Sequence, residues 1–411
     1  MDAATMNTSN NPAEPLDKTT FDTDVLIVGG GPVGLCLALG LAQRGAKITL
    51  VEAVEPEPGA ANSFDGRVLA LSEGSRVILQ DLGVWQALLP FVTDIQHVHV
   101  SQQGYLGLTL MHAEEMDVPA LGYSIRASDL GQMLWAAVRA ESAIDVRCPA
   151  KVIGFEQTDE AVTISLEQQG QPVTLNARLI VGADGTDSQV RKTLGLPLQQ
   201  KDYGAWAILA QVETEQPHQR WAFERFTSEG PVALLPLETH SHKLVYVAPK
   251  ADYQKLLALS DADFIQAFVA KMGERFGRYV NISARVAYPL KETYVERVVV
   301  GRAVLMGNAS HTQHPVAAQG LNLGLRDVED FLQGLQPGLV NMTDAAFLQT
   351  YEQQRRRDHK KVMGLTDSLI RIFEHPSPLV GHARGLAMMA LQVMPKLKKR
   401  LARFSMQGAG K

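Results

Sequence analysis

The chain has 411 residues, 45% of them hydrophobic and 20% charged, and a net charge of −5. That is room for one large core or two closely built domains of roughly 100–200 residues each, in the composition of an ordinary soluble globular protein. The negative balance argues against a general nucleic-acid binder, which needs a basic surface. The only cysteines, Cys36 and Cys148, offer neither a zinc spacing nor a disulfide framework, which fits a reducing, cytoplasmic setting.

Residues 1–20 are polar, lack the apolar centre of a signal peptide and read as a disordered lead-in. Asp24–Val28 is a buried-type strand, followed directly by GGGPVGLCLALGLAQRG. Gly29, Gly31 and Gly34 make a GxGxxG turn, with Pro32 inside it. The first glycine permits the turn, the second lets a phosphate approach, and the third lets helix and strand pack. A second strand, Lys47–Val51, ends on Glu52, 18 residues past Gly34, where a ribose-binding carboxylate is expected. The plainer alternative is a βαβ unit without a ligand.

Arg67, in the loop FDGR, can fork onto phosphate oxygens or stand as a solvated arginine. Ile95–Val100 and Leu106–Met111 alternate around Gly104 as a hairpin. Arg126 precedes a helix over Asp129–Ala140, with Ser128 and Asp129 as cap candidates. It contacts a cofactor or pairs with a neighbouring acid. Val152–Glu156, Val162–Glu167 and Val173–Asn176 read as a small meander, and Arg178–Val181 as a separate buried strand running into Gly182-Ala183-Asp184-Gly185. Asp184 there accepts from a ligand hydroxyl or caps the following helix, which carries Arg191.

Trp206–Val212, Trp221–Phe226, Val232–Pro236 and Lys243–Val247 alternate like strands of a second sheet, and Asp263–Phe276 reads as a helix. The organising stretch is AVLMGNASHTQHPVAAQGLNLGLRDVED, residues 303–330. A strand stops at Gly307-Asn308-Ala309, turns at His314-Pro315, and a helix opens after Gln319-Gly320. Such a helix start aims backbone N–H groups at one point that suits an anion. His311 and His314 lack a third ligand, so no metal is expected. Beyond it the chain is helical, with basic runs at Arg355–Arg357, Lys360, Lys361 and Lys396–Arg403 and an apolar, Met-rich Leu386–Leu397. These runs are a solvated face, or a dock for an anionic membrane or acidic partner. No apolar stretch reaches the roughly 18 residues needed to span a bilayer.

Together, GGGPVG with Glu52, GADG at residues 182–185, and GNA followed by HPVAAQGLNLGLRD resemble the single-component flavin-dependent aromatic hydroxylases typified by para-hydroxybenzoate hydroxylase. Within that group the chain looks like the ubiquinone-biosynthesis hydroxylases, nearest the 2-polyprenyl-6-methoxyphenol branch, through FDGR, AFERFT, GPVALLP and AYPL. Asn308 stands where the wider group has aspartate, and Ala318 where it has glycine.

The resemblance implies an α/β fold: a Rossmann-like FAD-binding domain over residues 21–200 and 290–342, an inserted, mostly antiparallel substrate sheet over 201–289, and a helical region over 343–411. It implies FAD on Gly29, Gly31, Pro32, Gly34 and Glu52 at the adenosine end. Arg67 and Arg126 would lie near phosphate or flavin, with Asp184, Gly185 and Asn308 at the polyol. Pro315, Gln319, Gly320, Leu321 and Asn322 would wall the ring. NAD(P)H is then a transient reductant, since the chain has no second nucleotide motif, and dioxygen adds to the reduced flavin as a C4a-hydroperoxide whose terminal oxygen attacks a prenylphenol ring. Hydroxylation at another ring position and a non-catalytic FAD-loaded subunit remain the alternatives. So apolar a substrate implies peripheral contact with the inner membrane or a ubiquinone-biosynthesis complex.

Overall fold

A computed structural model of the protein describes residues 21–56, 68–313, 320–375 and 377–407. β1 (Thr23–Val28) leads through α1 (Pro32–Ala42) into β2 (Ile48–Val51), paired in parallel with Val28 opposite Val51. β3 (Val68–Ser72) and α2 (Glu73–Asp81) follow, then a hairpin of β4 (His97–Gln102) and β5 (Leu108–His112). β6 (Gly122–Arg126) pairs antiparallel with β3 and runs into α3 (Ala127–Ala140). β7 (Ile144–Arg147) returns beside β2 in parallel register. β8 (Ala150–Gln157) and β9 (Val162–Gln168) form the antiparallel meander with β10 (Gln171–Gly182).

β10 is one strand, where the sequence suggested two. Alternation runs unbroken through Ala177, with no glycine or proline to stop it. Its first half pairs antiparallel with β9 and its second half parallel with β1. The start of α3 also differs. The helix begins at Ala127, with Arg126 in the cap position and no side-chain cap, so neither Ser128 nor Asp129 serves.

After the short α4 (Gln189–Thr193), four strands build the second sheet: β11 (Gln199–Thr214), β12 (Trp221–Phe226), β13 (Val232–Pro236) and β14 (Ser241–Pro249). α5 (Asp261–Met272) packs on one face and β15 (Val286–Tyr294) extends the edge. The hairpin β4–β5 completes this sheet at its far edge, β4 pairing with β12 in parallel, Glu224 opposite Val100. β16 (Ala303–Leu305) returns to the first sheet beside β10. α6 (Gly320–Gly334), α7 (Ala345–Glu374), α8 (Pro378–Val393) and α9 (Pro395–Gln407) close the chain.

The first sheet therefore carries parallel strands in the order β16-β10-β1-β2-β7. Its central strands are buried on both faces, which is why they read as unbroken apolar runs. α1 is buried nearly all round: Leu35, Leu37 and Leu41 expose none of their surface. Burial of this kind contributes about 1.5–3 kcal/mol per leucine. No described helix is long and apolar enough to cross a membrane.

Candidate active site at the strand ends

Because β1, β10 and β16 are parallel neighbours, the turns that follow them emerge at one edge of the sheet. A Cβ on Gly29 (φ +108°) would stand 2.4 Å from Ala183 O, so the first and second turns touch. A Cβ on Gly34 would stand 2.1 Å from Gly29 O, which is the close helix–strand packing expected of the third glycine. Val33 lies between the first and third turns: Cβ atoms on Gly307 and Gly324 would meet its Cγ2 at 3.0 and 2.7 Å. Arg191, buried on α4, joins the second turn to the third by donating to Thr186 O at 2.8 Å and Ala309 O at 3.1 Å. The three turns are thus one structure.

Each expected residue has a definite place within it. Gly31 and Pro32 open α1, and space is free for 4 Å around a Cβ on Gly31. Glu52 accepts from Gly30 N at 2.6 Å and Val54 N at 3.0 Å, so both oxygens already hold the loop, each with a lone pair left over. Asp184 does two things: Oδ2 caps α4 through Gln189 N at 2.7 Å and Val190 N at 3.2 Å, while Oδ1 is buried without a partner. Gly185 follows at φ +78°. Asn308 is exposed, and its side chain has no hydrogen-bond partner among the described residues. Gly320 begins α6, and Leu321 packs partly buried against the main core.

Two residues are committed elsewhere. The Asn322 side chain clamps β3 and α2, accepting from Ser72 N at 2.9 Å and Ser75 Oγ at 2.7 Å and donating to Ala70 O at 3.0 Å. Arg126 bridges to the second sheet, 2.6 Å from Glu238 and 3.3 Å from Gln211. Arg67, His314, Pro315, Ala318 and Gln319 lie outside the described residues.

Beneath the third turn is a charge cluster that the sequence reading missed. Asp327 accepts from Gly307 N at 2.8 Å through Oδ2, and through Oδ1 from Arg355 Nε at 2.6 Å and His359 Nε2 at 3.0 Å. Arg355, read as part of a basic surface run, is 1% exposed and also binds Asp330 at 2.7 Å and Asp358 at 3.0 Å. The Asp327 carboxyl is held far below the usual carboxylate range; burial opposes the charged form, and Arg355 and His359 together outweigh it. His311 Nδ1 donates to Gly307 O, 3.0 Å away, and the ring stacks on His359. Burial holds it neutral well below its ordinary pKa. His311, Asp327 and His359 could converge on a metal ion. Arg355 already supplies the positive charge at that carboxylate, so a cation there would face a guanidinium.

The residues present fit a flavin nucleotide: clearance over Gly31, an orphaned acceptor at Asp184 and an unengaged amide at Asn308 face the common edge. The fold and these turns define an FAD-binding flavoprotein of the doubly wound type. The FAD binding domain family matches residues 22–366. The ubiquinone hydroxylase UbiL of Rhodospirillum rubrum is 33% identical over 93% of this chain and 89% of its own length. The 3-demethoxyubiquinol 3-hydroxylase of Escherichia coli is 32% identical, over 94% and 99%. In fold, p-nitrophenol 4-monooxygenase PnpA of Pseudomonas putida DLL-E4 aligns at TM-score 0.76 with 16% identity, covering 94% of this chain and 98% of that one. The chain belongs to this FAD-binding family and is an FAD-dependent monooxygenase of the ubiquinone-hydroxylase group.

Proposed function

We propose that the protein hydroxylates a phenol ring bearing a polyprenyl chain, of the 2-polyprenyl-6-methoxyphenol type, drawing electrons from NAD(P)H and oxygen from O2. The observation that carries this reading is the convergence of the three turns on one edge, opposite a second sheet of mostly apolar surface. Bound FAD supplies the oxygen chemistry. Gly29, Gly31, Pro32 and Gly34 would hold its pyrophosphate, Glu52 the adenosine ribose, and Asp184, Gly185 and Asn308 the polyol. The first N–H groups of α6, at Gly320, Leu321 and Asn322, would stand at a helix start, which favours negative charge on the ring.

The expected result is a yellow protein whose NAD(P)H oxidation is stimulated by a prenylphenol, with one hydroxyl added to the ring. Absence of stimulation would favour a non-catalytic FAD-loaded subunit. Product regiochemistry, with the intermediate that accumulates on gene deletion, separates this substrate from a sister ring position.

The C-terminal helices provide an approach for so apolar a substrate. Leu379, Leu386, Met389 and Val393 on α8, Met394 between the helices, and Leu397 and Leu401 on α9 are all exposed. Residues 375–411 contain no Asp or Glu. Lys398 and Lys399 tie α9 to Glu115 and Asp117, but Lys396 and Arg400 stay exposed beside a recess lined by Met394, Pro395 and Leu397. This apolar, cationic surface suits an anionic membrane. Co-sedimentation with phosphatidylglycerol vesicles is expected, little with phosphatidylcholine. Replacing Lys396 and Arg400 with Gln should weaken it about 10–30-fold, at ~1 kcal/mol per charge. Unchanged sedimentation after Leu386→Asp with Val393→Asp would remove this surface from the account.

A further inference from the structure

Along β12 the side chains alternate between two faces. Phe223 and Arg225 turn toward α5 and the segment after it: Phe223 meets the Phe276 ring at 5.4 Å, and Arg225 donates to Met272 O at 3.5 Å. Ala222, Glu224 and Phe226 therefore take the opposite face. That face looks at the FAD-binding domain, because on it Lys243 Nζ donates to Val68 O of β3 at 2.5 Å and Gln211 meets Arg126. Toward the other end, Phe226 stacks on Phe373 of α7 at 3.7 Å, and Thr109 donates to Met388 O of α8 at 3.1 Å. β3 in turn is fixed to the start of α6 through Ala70 O and Asn322. Glu224 thus stands in the seam between the two sheets, in the strip between β3 and α8.

Its cross-strand neighbours there are Val100 and Ala233, both uncharged. The carboxylate has no hydrogen-bond or ion-pair partner among the described residues. The charged groups on this face are engaged elsewhere: Lys243 at Val68 O, Arg126 at Glu238, and Arg384 at Gln102 and Phe373 O. A carboxylate that loses part of its water to burial, with no protein partner in its place, is left open to an incoming ligand.

We propose that Glu224 is the acid–base residue that takes the proton from the substrate's phenol hydroxyl. In that step the phenol O–H bond breaks, an O–H bond forms on the carboxylate, and the electron pair stays on the phenol oxygen, which enriches the ring for oxygenation. No atom changes oxidation state. Burial alone pushes the Glu224 carboxyl up to about 7. A base of that strength lies much closer to a phenol near 10 than an ordinary glutamate near 4.3 does. This inference rests on the substrate being a phenol.

The test uses the full-length, FAD-loaded protein as wild type, Glu224→Gln and Glu224→Asp. All three should keep their flavin absorbance. With a prenylphenol, wild-type kcat should rise with pH through a limb near 7. The Gln variant should lose that limb, with kcat down about 10²–10⁴-fold at neutral pH, and the Asp variant should keep part of it. A second measurement needs no turnover. A 2-alkyl-4-nitrophenol bound about one pH unit above 7 should take up one proton in wild type, seen as a new carboxylic-acid infrared band, because two adjacent anions cannot both stay ionised. The band should be absent in the Gln variant. If the Gln variant keeps kcat within about threefold with the same limb, or shows the same band, the role falls to another group. If wild type turns over no phenol, the proposed reaction fails first, and the infrared band alone judges Glu224.

Discussion

Gly31→Ala should leave the apoprotein's melting temperature within a few degrees of wild type while cutting FAD affinity about 10–100-fold. The backbone at Gly31 is extended, at φ −76° and ψ 172°, which alanine accepts without strain. A methyl there meets no protein atom within 4 Å. Within the protein itself the substitution is close to neutral: reduced unfolded-state freedom offsets the slightly poorer helix start. The space it enters is where a pyrophosphate would lie, and overpacking of about 1–3 kcal/mol gives the stated loss. Gly34→Ala is the control. Its methyl would strike Gly29 O at 2.1 Å, so fold and flavin should suffer together. Fluorescence titration with FAD beside a thermal melt decides the matter, and full flavin affinity in Gly31→Ala would mean that the phosphate lies elsewhere.

Asp327→Asn should produce the larger stability loss, about 3–5 kcal/mol, since it leaves the buried Arg355 without its closest counter-charge. Urea denaturation of the apoprotein measures it. Flavin content should fall as well, because Asp327 also holds the Gly307 amide that shapes the third turn. The pH dependence follows from the directions of the shifts. The Asp327 carboxyl is depressed in the folded state, so its contribution is whole above the unfolded value near 3.9 and is lost as pH falls below it. His311 is held neutral, so the unfolded chain gains a proton first. Its contribution is whole above about 6.5 and drains away as pH falls below that. Wild type should therefore weaken in two stages on acidification. The Asn variant should retain the upper stage and lose the lower one. A single lower stage in wild type would contradict the buried neutral histidine.

The glycine turns were legible because each is local: strand, glycine and helix start fall within a few residues, and backbone geometry restricts the residue types. The second sheet's strands were legible by alternation. What escaped depends on distance along the chain. Asp327 and Arg355 meet across 28 residues, from helices whose sequences give no hint of facing each other. Arg355 sits in a run that looks solvated, and only packing shows that it points inward while Lys360 and Lys361 do not. Asn322 was expected at the flavin because of its motif, yet its side chain is taken by Ser72, Ser75 and Ala70, roughly 250 residues upstream. Glu224 lay inside a quoted motif, but the face it occupies is set by strand alternation relative to α5, which had to be seen.

The parallel pairing of β12 with β4 has a consequence for how the molecule can be dissected. Cut out on its own, the segment from β11 to β15 would present Trp221–Phe226 as a bare hydrogen-bonding rim, inviting strands from other molecules to fill it. The second sheet is therefore no portable module. It can assemble only after two stretches of polypeptide more than a hundred residues apart have found one another, which makes this seam a late and slow event in the birth of the protein.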